Sequence, residues 1–219
     1  MPNFVEILES LKAVANPQKA PWMKAYMRDQ FEYLGVQSTA SKQVFSQLLP
    51  KHNSAEEIDW GFVDACWADP NRELQYAALS YLGRNERLLD ATHLPRLREL
   101  ILNKSWWDTI DTIVHLVGAI VQRHPELKAL MVEWSLDENM WIRRTAIEHQ
   151  LSLKMKTDTD LLEVILVNNF GSKEFFINKA IGWALRDYAW VNPNWVRDFI
   201  ERHRSRMAPL SIREGGKHL

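Results

Sequence analysis

Cysteine is nearly missing from this chain: Cys66 is the only one among 219 residues. A lone cysteine cannot close an internal disulfide, so a small stapled scaffold is excluded and a reducing compartment fits. Glycine and proline are also scarce, at 8 and 9 residues, and no stretch rich in them divides the chain. Neither GxGxxG nor GxxxxGK[ST] occurs, and there is no nucleophile elbow, so no nucleotide loop or acyl-transfer serine is expected. The seven histidines form no HExxH and no metal-ligand spacing, which leaves neither a metal nor a small-molecule cofactor in the expectation. Charges interrupt every apolar run before membrane-spanning length, and the N-terminus lacks the basic, apolar, small-residue succession of a signal peptide. A cytoplasmic protein without a membrane partner is the expectation. A strong charge bias is absent too, since 27 Lys and Arg stand against 28 Asp and Glu. The balance moves from 14 against 17 over residues 1–136 to 13 against 11 over 137–219, which permits a basic wall near the C-terminus without requiring one.

What the chain does have is apolar residues at intervals of three and four, with few alternating pairs. This periodicity is all-α, and residues 1–219 read as one domain. Phe4, Ile7, Leu8 and Leu11 mark a first helix; Met23, Met27, Phe31 and Leu34 mark a second, with Gly35 as its C-terminal cap. Asp69 is placed as the N-cap of a helix carrying Leu74, Ala77, Ala78, Tyr81 and Leu82 and closed by Gly83. Further helices are read over Leu94–Leu102, from Trp106 to Val121 with Ser105 as cap, over Leu127–Leu136, and through Leu151 with Asp137 or Asn139 as cap. Leu161–Val167, Lys173–Tyr188, a helix from Pro193 and a short turn after Pro209 complete the series.

These helices repeat. Trp107, Trp141 and Phe176 are separated by 34 and 35 residues, and Tyr76, Asp111, Arg144 and Lys179 by 35, 33 and 35. A near-constant lag of this size marks stacked helical hairpins, an α-solenoid in which each unit needs its neighbours to complete a core. Equivalent positions then line one wall.

Along that wall, Trp107 and Asp111 are four apart and share a helix face, so an aromatic plane lies beside a carboxylate, an arrangement suited to a sugar. Packing alone can account for a tryptophan and an inward aspartate. However, the apolar stripe Ile110, Ile113, Val114 and Val117 points toward a different side, and a tryptophan off the core stripe marks a binding surface. Adjacent arginines are usually solvated, but Arg144 follows Asp111 by one repeat and Lys179 follows by another, which resembles a phosphate track. Trp183 and Arg186, three apart, repeat the aromatic-plus-polar pairing. Trp22, Trp60, Trp67, Trp134, Trp190 and Trp195 are read as core or surface packing.

The segments KAYMRDQFEYLGVQ (24–37), SWWDTID (105–111), NMWIRRTAI (139–147), KEFFINKAIGWALRDY (173–188) and PLSIREGGKHL (209–219) resemble the AlkD-type DNA glycosylases, a family of DNA alkylation repair enzymes. That resemblance implies a right-handed superhelical α-solenoid of HEAT-like repeats. It implies excision of cationic alkylated purines, such as 3-methyladenine and 7-methylguanine, by a monomer acting on duplex DNA. By the same resemblance Asp111 is the catalytic carboxylate, Trp107 and Trp183 are the sugar-facing indoles, and Arg144 is a DNA-contacting cation. Tyr26, Gln37 and Arg186 match further DNA-binding positions. After Gln37 the chain reads Ser38-Thr39-Ala40-Ser41-Lys42, where the family pattern has a proline and paired arginines. A non-catalytic helical-repeat protein that binds DNA structures or a protein partner is the alternative, and such a protein would not need an aspartate among the tryptophans.

Overall fold

The computed structural model describes residues 2–49 and 57–219, arranged in two compact units, Met1–Leu89 and Asp90–Leu219. Among the described residues there are thirteen α-helices, short 3-10 turns and no strand beyond a single bridge between Glu32 and Asn71. The all-α class expected of an α-solenoid is therefore present.

The first unit holds α1 (Phe4–Ala13), α2 (Ala20–Tyr26), α3 (Ser38–Leu48), α4 (Trp60–Ala68) and α5 (Arg72–Arg84). Helix α1 packs on α3, α4 and α5, and α4 pairs with α5. Four sequence expectations are corrected here. The second helix ends at Tyr26, because Arg28 and Asp29 adopt φ of 54° and 57° and break it. Gly35 is accordingly not its cap. It has φ +88°, and an added Cβ would lie 2.1 Å from the Asn16 carbonyl oxygen, so it serves a close backbone approach. The backbone N–H groups of Leu34, Gly35 and Val36 donate to the buried Glu73 carboxylate at 3.1, 3.0 and 3.0 Å, which replaces the helical bonds that this segment lacks. Asn71, not Asp69, stands at the N-cap of α5, and Gly83 lies inside that helix. Helix α3 has no counterpart in the sequence reading.

The second unit holds α6 (Leu94–Leu102), α7 (Trp107–Arg123), α8 (Lys128–Trp134), α9 (Met140–Glu148), α10 (Thr159–Asn168), α11 (Phe175–Ala189), α12 (Pro193–His203) and α13 (Pro209–Gly215). Helices α7, α9, α11 and α13 pack in succession as one row, backed by α6, α8, α10 and α12. Asn139, Asp158 and Asn192 each accept a backbone N–H at the start of α9, α10 and α12, the expected role of short polar side chains there. Ser105 does not cap α7. Its Oγ donates to the Ile101 carbonyl at 2.5 Å, and Trp106 occupies the cap position. Between α10 and α12, Glu163 accepts from Arg202 at 2.6 and 3.0 Å and contacts His203 Nε2 at 2.9 Å.

In α7 the stripe Ile110, Ile113, Val114, Val117 and Ile120 has no exposed surface, as its spacing requires of a core-facing helix. Gly118 sits where α7 meets α9. A Cβ there would lie 2.0 Å from the His149 carbonyl oxygen, so the two backbones touch and the polar residues one to two turns earlier come within reach of one another. Gly118→Ala should lower stability by about 1–3 kcal/mol, since the obstacle is backbone that cannot rotate away. Thermal unfolding measures this; a parental midpoint would mean that the helices do not approach so closely.

Candidate active site

Helix geometry keeps Asp111 on the side of α7 away from the buried stripe, where its side chain is 23% exposed. Arg144 rises toward it from α9 and is almost wholly enclosed, at 2% side-chain exposure. Its Nε and Nη2 both donate to Asp111 Oδ1, at 3.1 and 2.7 Å. Its Nη1 donates to the Phe176 carbonyl on α11 at 2.8 Å. Nη2 also lies 3.0 Å from Oε1 of Glu148, one turn later on α9 and fully buried. A single guanidinium thus ties α7, α9 and α11 together, using the fixed fork that suits it to several acceptors at once.

Burial raises the Asp111 carboxyl above its ordinary value; Arg144 opposes that, Asp108 adds to it and His115 reduces it. Burial likewise pushes the Glu148 carboxyl up to about 8. The environment expected for Arg144 is corrected by these contacts: it is not a solvated cation on a phosphate track but a buried one, and it carries Asp111.

Trp183, on α11, is half-buried and is ringed by cations: the guanidinium carbons of Arg144 and Arg186 lie 5.7 and 5.6 Å from its ring centroid, and Lys179 Nζ lies 5.7 Å away. Lys179 and Arg186 keep 24% and 30% side-chain exposure, and both pair with Glu214 of α13, at 2.9 and 3.3 Å. Lys217 joins the same carboxylate at 2.9 Å. Hydrogen bonds from Lys217 and Lys179 hold Glu214 down to about 2.

Trp107 begins α7 one turn before Asp111 and is half-buried. The aromatic repeat is offset by one residue from its expected register. Trp106, with extended backbone at φ −160°, brings its ring to Trp141 at 5.8 Å and to Phe176 at 5.4 Å, while Trp141 and Phe176 are 5.0 Å apart. Trp107 is left on the Asp111 face. A cleft of about 420 Å³ adjoins Trp183 and Arg186 and is also lined by His115, Trp190 and His218. Trp190 is 73% exposed and meets His218 at 4.2 Å.

Tyr26 and Gln37 belong to the first unit. Tyr26 is 61% exposed and stacks on Trp22 at 5.8 Å, and Gln37 is exposed at the start of α3. Among the described residues no three His, Cys, Asp or Glu side chains gather to hold a metal ion, and no helix is long and apolar enough to cross a membrane. Glu148 and Glu214 are the functional neighbours that sequence reading missed. Both had a signal: Glu148 follows Arg144 by one helical turn, and Glu214 follows Lys179 by 35 residues, the repeat once more.

Residues 7–219 match the family model of the DNA alkylation repair enzyme. The chain belongs to that family. Its fold also matches the solved structure of a predicted DNA alkylation repair enzyme from Enterococcus faecalis, with 32% identity, a TM-score of 0.83, and coverage of 94% of this chain and 96% of that one. Comparison with curated protein sequences gives no match. As a DNA alkylation repair enzyme, the protein carries its linked carboxylate, guanidinium and indoles on α7, α9 and α11, within the matched residues.

Arg144→Ala should be the most destabilising change in this cluster. It leaves Asp111 and Glu148 facing each other without their cation, at a cost of about 3 kcal/mol, whereas Lys179→Ala removes a partly exposed pair and should cost no more than about 1 kcal/mol. Urea unfolding of the two variants measures the difference, and equal losses would show that Arg144 does not carry the cluster.

Proposed function

We propose that the protein is a DNA glycosylase that hydrolyses the N-glycosidic bond of cationic N3- or N7-alkylated purines, 3-methyladenine and 7-methylguanine among them, in duplex DNA. The observation that carries this reading is the partly exposed Asp111 carboxylate, held by a buried guanidinium on a face shared with Trp107 and near Trp183.

A purine alkylated at N3 or N7 already bears positive charge. When the bond from C1′ to the purine nitrogen breaks, the electron pair goes to the base, which departs neutral and needs no acid. Positive charge then develops on the deoxyribose, and Asp111 faces it as a fixed anion. Because Arg144 has oriented Asp111 beforehand, no reorganisation is needed as that charge appears. The same carboxylate positions water, whose oxygen bonds to C1′ while its proton passes to solvent. Trp107 and Trp183 offer ring faces that favour the developing cation and hold the sugar. No base-enclosing pocket is required in this scheme, unlike that of base-flipping enzymes.

Lys179 and Arg186, which retain exposed surface, serve the phosphates, with Tyr26 and Gln37 as DNA contacts from the first unit. Arg144 acts through Asp111. The acid side of the pH profile follows from the raised Asp111 carboxyl: excision should fall as pH drops through it, because the neutral acid no longer stabilises the cation.

Asp111→Asn should reduce release of 7-methylguanine from methylated duplex at least about a hundredfold while DNA binding persists. A chelator should have no effect and uracil should not be released. Chromatography of freed bases decides, and an Asp111→Asn variant working at the parental rate would sink the reading. Lys179→Ala should weaken binding to intact and damaged duplex alike and make the salt slope shallower by about one. Lys128, bridged to Asp158 at 2.7 Å on α8, is the control: equal losses from Lys128→Ala would put the DNA on another face.

A further inference from the structure

Glu148 is an unexplained group in the proposed reaction. It has no exposed surface, yet neither carboxyl oxygen accepts a hydrogen bond. Its 3.0 Å approach to Arg144 Nη2 is a charge contact only. Buried oxygens without a donor are costly, and natural proteins seldom leave them so.

A proton resolves this. Asp111, Arg144 and Glu148 together carry two carboxyls and one guanidinium in a place nearly closed to water. Fully ionised, the group holds a net negative charge, and two acids sharing one cation at short range cannot both ionise cheaply. Asp111 has two N–H bonds and some solvent; Glu148 has neither. The retained proton therefore belongs on Glu148, where it turns an unpartnered acceptor into a donor toward the neighbouring Asp111. The charged groups acting on Glu148 are Asp111 from α7 and Arg144 from its own helix, while Asp108 and His115 of α7 act on Asp111. His149, next along α9, is kept neutral by burial, which lowers it to about 4.

We infer that Glu148 is a positioning residue for Asp111: as a neutral acid it closes the buried side of the Asp111–Arg144 pair and leaves Arg144 committed to one anion. This rests on the glycosylase reading above. When Glu148 ionises, Arg144 is divided between two carboxylates and Asp111 loses its fixed orientation, so excision acquires an alkaline limb set by a residue that no substrate can touch.

The test is single-turnover release of 7-methylguanine from duplex DNA between about pH 6 and about pH 9.5, for the parent, Glu148→Gln and Glu148→Met. The parent rate should fall on the alkaline side. Glu148→Gln, which keeps a neutral donor and cannot ionise, should stay within about threefold of the parent at neutral pH and lose that fall, while Glu148→Met, with no donor, should be about tenfold slower at unchanged DNA affinity. Urea unfolding supplies a readout without substrate. Because the folded carboxyl lies above its unfolded value, its stabilising effect is full below the unfolded value and is lost as pH rises through about 8. Glu148→Gln should flatten that loss. Should Glu148→Gln fail to fold, Glu148→Met and the parent's own unfolding profile decide. An active parent whose alkaline fall persists in Glu148→Gln, or a Glu148→Met variant at the parental rate, overturns the inference alone. A parent that releases no base at any pH overturns the glycosylase reading and the positioning role with it.

Discussion

The Arg144 guanidinium is the interaction on which the second unit's functional face depends. It is buried, so its charge must be answered within the protein, and it meets Asp111 on one helix, the Phe176 carbonyl on another and Glu148 on its own. Each contact constrains the others. Helices α7 and α9 must be close enough for Asp111 to be reached, which Gly118 allows by letting backbone meet backbone. Helix α11 must bring a carbonyl of its first turn within reach, and Phe176 supplies it as a shared acceptor. The aromatic rings of Trp106, Trp141 and Phe176, drawn from the same three helices, give the cluster an apolar flank. A buried ion pair is a weak source of net stability, and in some proteins it serves specificity of arrangement instead. Here that specificity fixes where one carboxylate stands.

A second charge constraint lies one repeat further along. Lys179, Arg186 and Lys217 converge on Glu214, so a cationic surface is assembled around a single nearly buried anion. A chain with a formal charge of −1 can thereby concentrate positive charge locally without mutual repulsion pushing the side chains apart. Glu214 holds their positions while leaving the excess charge positive, because three cations meet one carboxylate. Association with a polyanion depends on such local fields more than on the net sum.

The helical class, the period and most of the second unit were legible in the sequence because α7 to α13 follow strong apolar stripes broken by single prolines and short polar caps. The first unit was less so. Its second apolar stripe, Met23 to Leu34, continues past a helix that ends at Tyr26, and nothing in residue spacing reveals that Arg28 and Asp29 take left-handed backbone conformations. Helix α3 has few apolar positions to announce it. At the site, Asp111 lies on a helix of the stacked row as the repeat implied, with Trp107 and Trp183 on the same row outside the aromatic register, but the depth of Arg144 did not show. An arginine beside another arginine reads as solvated; whether it is so depends on a carboxylate 33 residues earlier and on another one turn later, a relation that exists only once the helices stack.

The same enclosure bears on which lesions the proposed reaction can serve. A glycosylase that protonates its leaving base needs an acid within reach of that base. On the inference drawn for Glu148, the acid that retains a proton has no exposed surface, while the partly exposed carboxyl, Asp111, is bound to Arg144 through two hydrogen bonds. Proton donation and electrostatic stabilisation are thus separated by burial: the group with the proton cannot approach substrate, and the group that can approach substrate is held as the anion. In that reading the positive charge that makes the base leave must arrive with the DNA, and selectivity for cationic lesions needs no pocket to recognise an alkyl group. It follows from which of two carboxyls the fold allows to meet water.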